Sequence, residues 1–349
     1  MTAGTIAFWP HSSSRKVASV RIRCLSIVAG LQAQGVAAGL HDPASPGAPQ
    51  LLVLSKRYDA ASLRHALDLR QRAGTRLFID LCDNHFYNPR GLPEWAERAG
   101  ALRAAIAAAD GVIASTEALA AVIRQEVPEA AAVNVVGDLL EDPIDAARFG
   151  CSIAALADSA RLTVLRRRLP SPGSRLIWFG NHASPYANGG MADLLAVAEP
   201  LGRSAERFGA ALTIVSNSRA TFRSVVARLP IRCHYLPWAE SSIARVLRLH
   251  DAALIPITRN PFTMCKTNNR VVTAFAHGLD VIADSIHSYE PLRDAAWLDD
   301  WAQGLDAVLA DPAGRAGRVA RGNAIAAALA DRATIMAAWR NALGIPPGG

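Results

Sequence analysis

Short apolar runs alternate with longer stretches of helical period, stop at a proline- and glycine-rich hexapeptide, and then start again. In the first series Thr5–Trp9, Leu51–Leu54, Leu77–Leu81, Gly111–Ala114 and Ala132–Val136 read as strands. Helical segments fall between them at Ile22–Leu31, Ala60–Ala73 and Pro93–Ala109, the last with proline near its start, where a missing N–H is harmless. Ser115 or Thr116 caps the helix that follows, and another helix covers Ile153–Arg168. Residues 169–174 (LPSPGS) read as a hinge linker. The second series has strands at Leu176–Phe179, Leu212–Val215, Ile231–Leu236, Ala252–Ile255 and, last, Val281–Ala283. Its helices are Met191–Phe208, interrupted at Pro200, then Ala220–Leu229, Ser241–Leu249 capped by its serines, and Asn268–His277. Strands alternating with helices of this length predict parallel sheets covered on both faces. The expected fold is therefore α/β, with two Rossmann-like doubly wound domains facing each other across a cleft. The expected domains are residues 1–168, the linker 169–174, residues 175–325, and a C-terminal helical segment, 326–349. In such sheets ligands bind at the carboxyl ends of the strands.

Composition narrows the class. Hydrophobic residues make up 51% of the 349 and charged residues 19%, enough apolar material for two cores, which excludes a disordered chain. The net charge of +7 suits anionic partners such as nucleotide diphosphates or phospholipid headgroups, or simply an arginine-rich surface. The densest basic run, Arg166–Arg168, closes a helix, where cations complement the dipole. Neither aromatic-basic interleaving nor a helix-turn-helix signal supports nucleic acid as a partner. The five cysteines are dispersed, without a CxxC pair, which argues against a zinc site and fits reduced thiols in a cytoplasm. Met1–Pro10 lacks the basic start of a signal peptide, and the chain has no apolar run approaching the roughly 20 residues of a membrane span. The expected location is cytoplasmic, with any membrane contact peripheral.

A family comes into view at three places. They are Asp251–Pro256 (DAALIP), Lys266–Arg270 (KTNNR), and Ala274–Ile282 (AFAHGLDVI). Together they resemble the donor-binding segment of GT-B glycosyltransferases, as do Ser19–Arg23 and Ala109–Ser115 in the first half. The resemblance implies transfer of a sugar from a nucleotide-activated donor to a glycan, lipid-linked or other hydroxyl acceptor, without a bound metal or separate cofactor. The donor would lie on the second domain and the acceptor on the first, and the last helix would cross back onto the first domain. Acceptors of cell-surface polysaccharide or glycolipid suit the basic charge. One departure stands out: where many retaining members carry two glutamates seven residues apart, this chain has Cys265 and Thr273. Two alternatives remain open on the same fold: a sugar-nucleotide epimerase and a non-catalytic nucleotide- or sugar-binding partner protein.

The candidate residues follow from where charge develops. A leaving nucleotide diphosphate is stabilised by cations and helix N-terminal amides. Lys266 precedes a helix and Arg270 sits in its first turn, a placement that opposes the helix dipole unless an anion is bound. Asn268 and Asn269 either cap that helix or donate to the ligand. Gly180 and Asn181, after the first strand of the second half, allow close backbone approach to the donor, and Ser216 ends the next strand. Trp238 either stacks on a base or packs between domains. In the first half Asp83, Asn84 and His85 follow a strand. Asp83 or His85 holds an acceptor hydroxyl or acts as general base. Arg15 and Arg21 are candidates for the acceptor or the phosphates. Arg21 and Arg23 point apart on a helix, so one of them is expected at the surface. His65, Asp68 and Asp80 form no convincing metal set.

Overall fold

The computed structural model describes residues 5–141, 153–183 and 189–346, so Cys151 lies outside the described residues. Two six-stranded sheets are present, and every strand pairing is parallel. The first contains β1 (Ile6–Pro10), β2 (Ala38–Leu40), β3 (Leu51–Ser55), β4 (Arg76–Leu81), β5 (Gly111–Ala114) and β6 (Val133–Val135), in the order β2-β1-β3-β4-β5-β6. The second contains β7 (Arg175–Phe179), β8 (Ala211–Ser216), β9 (Arg232–Pro237), β10 (Ala252–Ile255), β11 (Asp280–Ala283) and β12 (Trp297–Leu298), in the order β12-β11-β10-β7-β8-β9. Central strands such as β3, β5, β8 and β10 are buried along their whole length, which explains their unbroken apolar runs.

The chain divides into two compact units. The first takes Met1–Glu141, Met264–Thr267 and Ala330–Gly349; the second takes Asp142–Thr263 and Asn268–Leu329. Helix Ile153–Arg168 thus belongs with the second unit, whereas the sequence placed it before the boundary. In the first unit, helix Arg332–Leu343 covers one face of the sheet. Its Trp339 is fully buried, with its ring 5.8 Å from that of Phe8 and the Arg23 guanidinium 5.1 Å from its centre. The other face carries Leu69, Leu102, Ile106, Leu119 and Ile123 from the crossover helices. In the second unit Trp178, Leu194, Leu201, Leu254 and Leu305 form the core of one face.

Local differences from the sequence expectation have identifiable causes. Edge strands β2 and β12 were missed, being only three and two residues long. The break in the Met191–Phe208 segment falls at Val197, where a 3-10 stretch (Gly190–Val197) gives way to an α-helix (Ala198–Phe208). Pro200 sits in that helix's first turn, where it displaces no hydrogen bond. Arg21–Leu25 forms a π-helical turn, which alters the angular spacing of its side chains. Arg21 and Arg23 are consequently both buried, correcting the expectation that one is at the surface. Thr116 is the cap of its helix, accepting from Leu119 N at 3.1 Å. Helix Ile243–Leu247 has no serine side-chain cap; Ser241 instead donates to Asp158 at 2.6 Å. Among the described residues no helix is long and apolar enough to cross a membrane.

Candidate functional site

The carboxyl edge of each sheet gathers polar side chains. In the first unit the focus is Asp83, just past β4. It is buried and receives Lys56 on one carboxylate oxygen and Lys266 on the other. Burial alone would raise its pKa, but the two ammonium groups hold its carboxyl far below the usual range. Lys56 is in turn pushed above the ordinary lysine value: burial opposes its charge, and Asp83 more than compensates. Lys56 also has a left-handed backbone, φ 53°, with its N–H donating to Asp80 O at 2.9 Å. Lys266, placed before a helix, was expected to need a bound anion. In the structure Asp83 supplies the counter-charge.

His85 lies two residues on, also buried, beside a hydrogen-bonded chain. Arg98 Nε donates to the Tyr58 hydroxyl at 2.7 Å, and that hydroxyl lies 2.6 Å from His85 Nδ1. The tyrosine hydroxyl can donate to Nδ1, and in that tautomer His85 is neutral with its hydrogen on Nε2. Burial pushes His85 down to about 3; Asp83 opposes this, and Lys56, Arg98 and Lys266 act in the same direction as burial. His11, after β1, is lowered to about 4 by burial and then by Lys56. At neutral pH neither Asp83 nor His85 is a strong base. Asn84 closes an Asx turn, its Oδ1 accepting from Phe86 N at 3.2 Å.

Arg21 is not at this focus. Its guanidinium forks onto Glu141 and donates to the Arg15 carbonyl at 2.6 Å, and Arg15 itself is exposed. Arg23 is deeper, bridging Asp80 at 2.7 Å and Asp138 at 3.0 Å. The sequence missed Lys56, Tyr58 and Arg98. Lys56 was findable, since it directly follows a strand at the binding edge. Arg98 had no local signal.

In the second unit the turn after β7 is tied to the end of β8. Ser216 Oγ donates to Gly180 O at 2.9 Å, Asn217 Nδ2 donates to Asn181 Oδ1 at 3.0 Å, and His182 N donates to Asn217 Oδ1 at 3.2 Å. The chain returns at Gly190, φ 89°, where a Cβ would lie 2.7 Å from the His182 carbonyl oxygen, so glycine is required there. Arg270 Nη1 is 3.5 Å from the Cβ position of Gly180, and Arg270 also hydrogen-bonds the buried Tyr289 side chain. A Cβ at 180 would thus sit in ordinary contact with the guanidinium. Asn268 is the N-cap residue of helix Asn269–Ala276 but makes no capping hydrogen bond through its side chain. Ser218, not Ser216, caps the next helix, accepting from Thr221 N at 3.2 Å. Trp238 follows β9, half-buried, with its backbone N–H donating to Ser216 O at 2.9 Å. Gly180, Asn181, Ser216, Trp238 and Arg270 thus gather at one sheet edge, while Lys266 joins Asp83 in the first unit. Among the described residues no three His, Cys, Asp or Glu side chains group as metal ligands.

Two six-stranded parallel sheets with helical crossovers in this arrangement constitute the GT-B fold of glycosyltransferases. Among solved structures the chain is similar to Anabaena HepE in complex with UDP and glucose, with a TM-score of 0.66 and 14% identity over 98% of this chain and 99% of that one. It is similar also to sucrose-phosphate synthase from Thermosynechococcus elongatus, with a TM-score of 0.68 and 16% identity over 97% and 98%. The α,α-trehalose 6-phosphate synthase of Burkholderia multivorans follows at a TM-score of 0.55 and 13% identity over 84% and 70%. At such identities the likeness is one of fold. No family model matches the chain, and no curated protein matches it by sequence.

Proposed function

We propose that this protein is a glycosyltransferase that moves a sugar from a nucleoside diphosphate, most simply UDP, to a hydroxyl acceptor. The observation that carries this is the end-to-end likeness to HepE, which is described with UDP and glucose bound. Local chemistry supports it. The second unit takes the donor at Gly180, Asn181, Ser216 and Trp238, with Arg270 and the helix start at Asn268 and Asn269 opposing the leaving phosphate's charge. Side-chain cations and backbone amides carry that charge in this scheme, and the nucleotide sugar is substrate rather than cofactor.

The first unit takes the acceptor. Asp83, kept ionised by Lys56 and Lys266, orients an acceptor hydroxyl as a hydrogen-bond acceptor, and neutral His85 offers its Nε2–H beside it. With both groups weakly basic, the scheme favours a transfer that needs no enzyme base, in which the donor's anomeric configuration is kept. An acceptor destined for polysaccharide or glycolipid, made in the cytoplasm, fits the basic surface.

Thermal shift against UDP, GDP, ADP and TDP tests the donor half. A nucleotide present at about 100 times its Kd raises stability by roughly 2.7 kcal/mol, a shift of several degrees. Arg270→Ala should remove most of that shift. A wild type indifferent to all four nucleotides would end the proposal.

A further inference from the structure

Helix Ile153–Arg168 is apolar on two opposite faces. Leu162 and Leu165 are buried, and Asp158 points inward with them, accepting from Ser241. On the other side Ile153, Leu156, Ala160 and Val164 recur at helical spacing and are exposed, Leu156 at 60% and Val164 at 47%. Three of the six large hydrophobic residues exposed among the described residues lie on this one helix. Exposed apolar side chains scattered singly need no explanation, but a stripe of them does.

The charges beside the stripe have one sign. Arg161, Arg166, Arg167 and Arg168 are all exposed, and the helix's single acid, Asp158, is turned inward, where Arg161 also reaches it at 2.8 Å. Arg161 and Arg168 fall on one flank of the stripe and Arg166 on the other, while Arg167 continues the line of the stripe itself, by their position around the helix. Long arginine stems can lie along an apolar surface while their heads stay in a polar layer. A second copy of this face would set arginines against arginines, which disfavours self-association there.

We propose that this helix is a peripheral membrane-binding surface, seated on anionic phospholipid with Leu156 and Val164 in the headgroup–acyl boundary and the arginines on headgroup phosphates. The assignment does not depend on sugar transfer, since it is read without donor or acceptor.

The test is co-sedimentation of the full chain with two vesicle preparations, one of phosphatidylcholine alone and one with roughly one-third phosphatidylglycerol, at low and high salt. Binding is expected only to the anionic vesicles and should fall as salt rises. The double variant Arg167→Glu/Arg168→Glu should weaken it about tenfold, and Leu156→Ser/Val164→Ser by a similar factor, with unchanged melting temperatures because these side chains are exposed. No sedimentation with anionic vesicles, or binding indifferent to both variants, overturns the proposal. So does light scattering that shows a dimer dissolved by Leu156→Ser, which would make the face a protein interface.

Discussion

Lys266 and Asp83, 183 residues apart in the chain, form an ion pair within the first unit. The pairing converts what looked like an uncompensated cation before a helix into half of a two-lysine clamp on one carboxylate. It also gives Lys266 and Arg270, which sequence alone had joined, different neighbours: Asp83 for the one and Gly180 for the other.

Lys266→Met should therefore leave the UDP-dependent thermal shift largely intact and lower kcat about 10²-fold, because it releases Asp83 rather than the nucleotide. Arg270→Ala should instead remove most of the shift and lose about 10²- to 10³-fold in kcat/KM, the usual scale for a donor facing developing charge. Steady-state kinetics beside thermal shift decides between them. Equal loss of nucleotide binding in both would return Lys266 to the phosphate.

Anomeric configuration is a direct check on the weak basicity of Asp83 and His85. The anomeric proton coupling of the transferred sugar, read by NMR in the glycoside product, should show the donor's configuration retained. Inversion would require a competent base and would contradict the clamped Asp83.

Two buried histidines set a pH limit on stability. His250 donates from Nδ1 to the Val246 carbonyl at 2.8 Å, and its Nε2 lies 2.7 Å from the Thr213 hydroxyl, which donates to it when the ring is neutral. Burial lowers it from 6.5 to about 4, and His85 from 6.5 to about 3. Both groups bind a proton more readily when unfolded. Their stabilisation is complete above pH 6.5 and is lost as pH falls toward those folded values, at roughly 1.4 kcal/mol per pH unit for each. Urea titrations between pH 7 and pH 4.5 should show this slope, and His250→Asn should reduce it by about one proton. A flat profile would mean that the rings are not held neutral.

Arg23→Met should cost about 3–5 kcal/mol, since it leaves Asp80 and Asp138 facing each other without their shared cation. Denaturant melts measure this. A cost below about 1 kcal/mol would place the pair of carboxylates in contact with solvent.

Two glycines offer a packing contrast. A Cβ at Gly322 would lie 2.2 Å from the Phe275 ring, whereas at Gly30 it would meet the flexible Met336 thioether at 2.6 Å. Gly322→Ala should destabilise by about 1–3 kcal/mol through overpacking, and Gly30→Ala by distinctly less, because methionine can change rotamer. Equal midpoints in urea for the two variants would refute the distinction.

The sequence by itself determined the layered plan. Ten of the twelve strands among the described residues were legible, the central ones because strands buried on both faces must be continuous apolar runs, and the helix at Ala60–Ala73 was legible because its period and caps are local. It also brought Asp83 and Gly180 forward, since strand ends at the carboxyl edge are where ligands sit. Tertiary structure decided the partners. Nothing local to Lys266 encodes Asp83, nothing in helix Pro93–Ala107 marks Arg98 as the neighbour of Tyr58, and a π-helical turn moved both Arg21 and Arg23 inside. Periodicity reports which face of an element avoids water. Which charge meets which across distant segments depends on how folded elements stack, and one chain read in order does not carry that information.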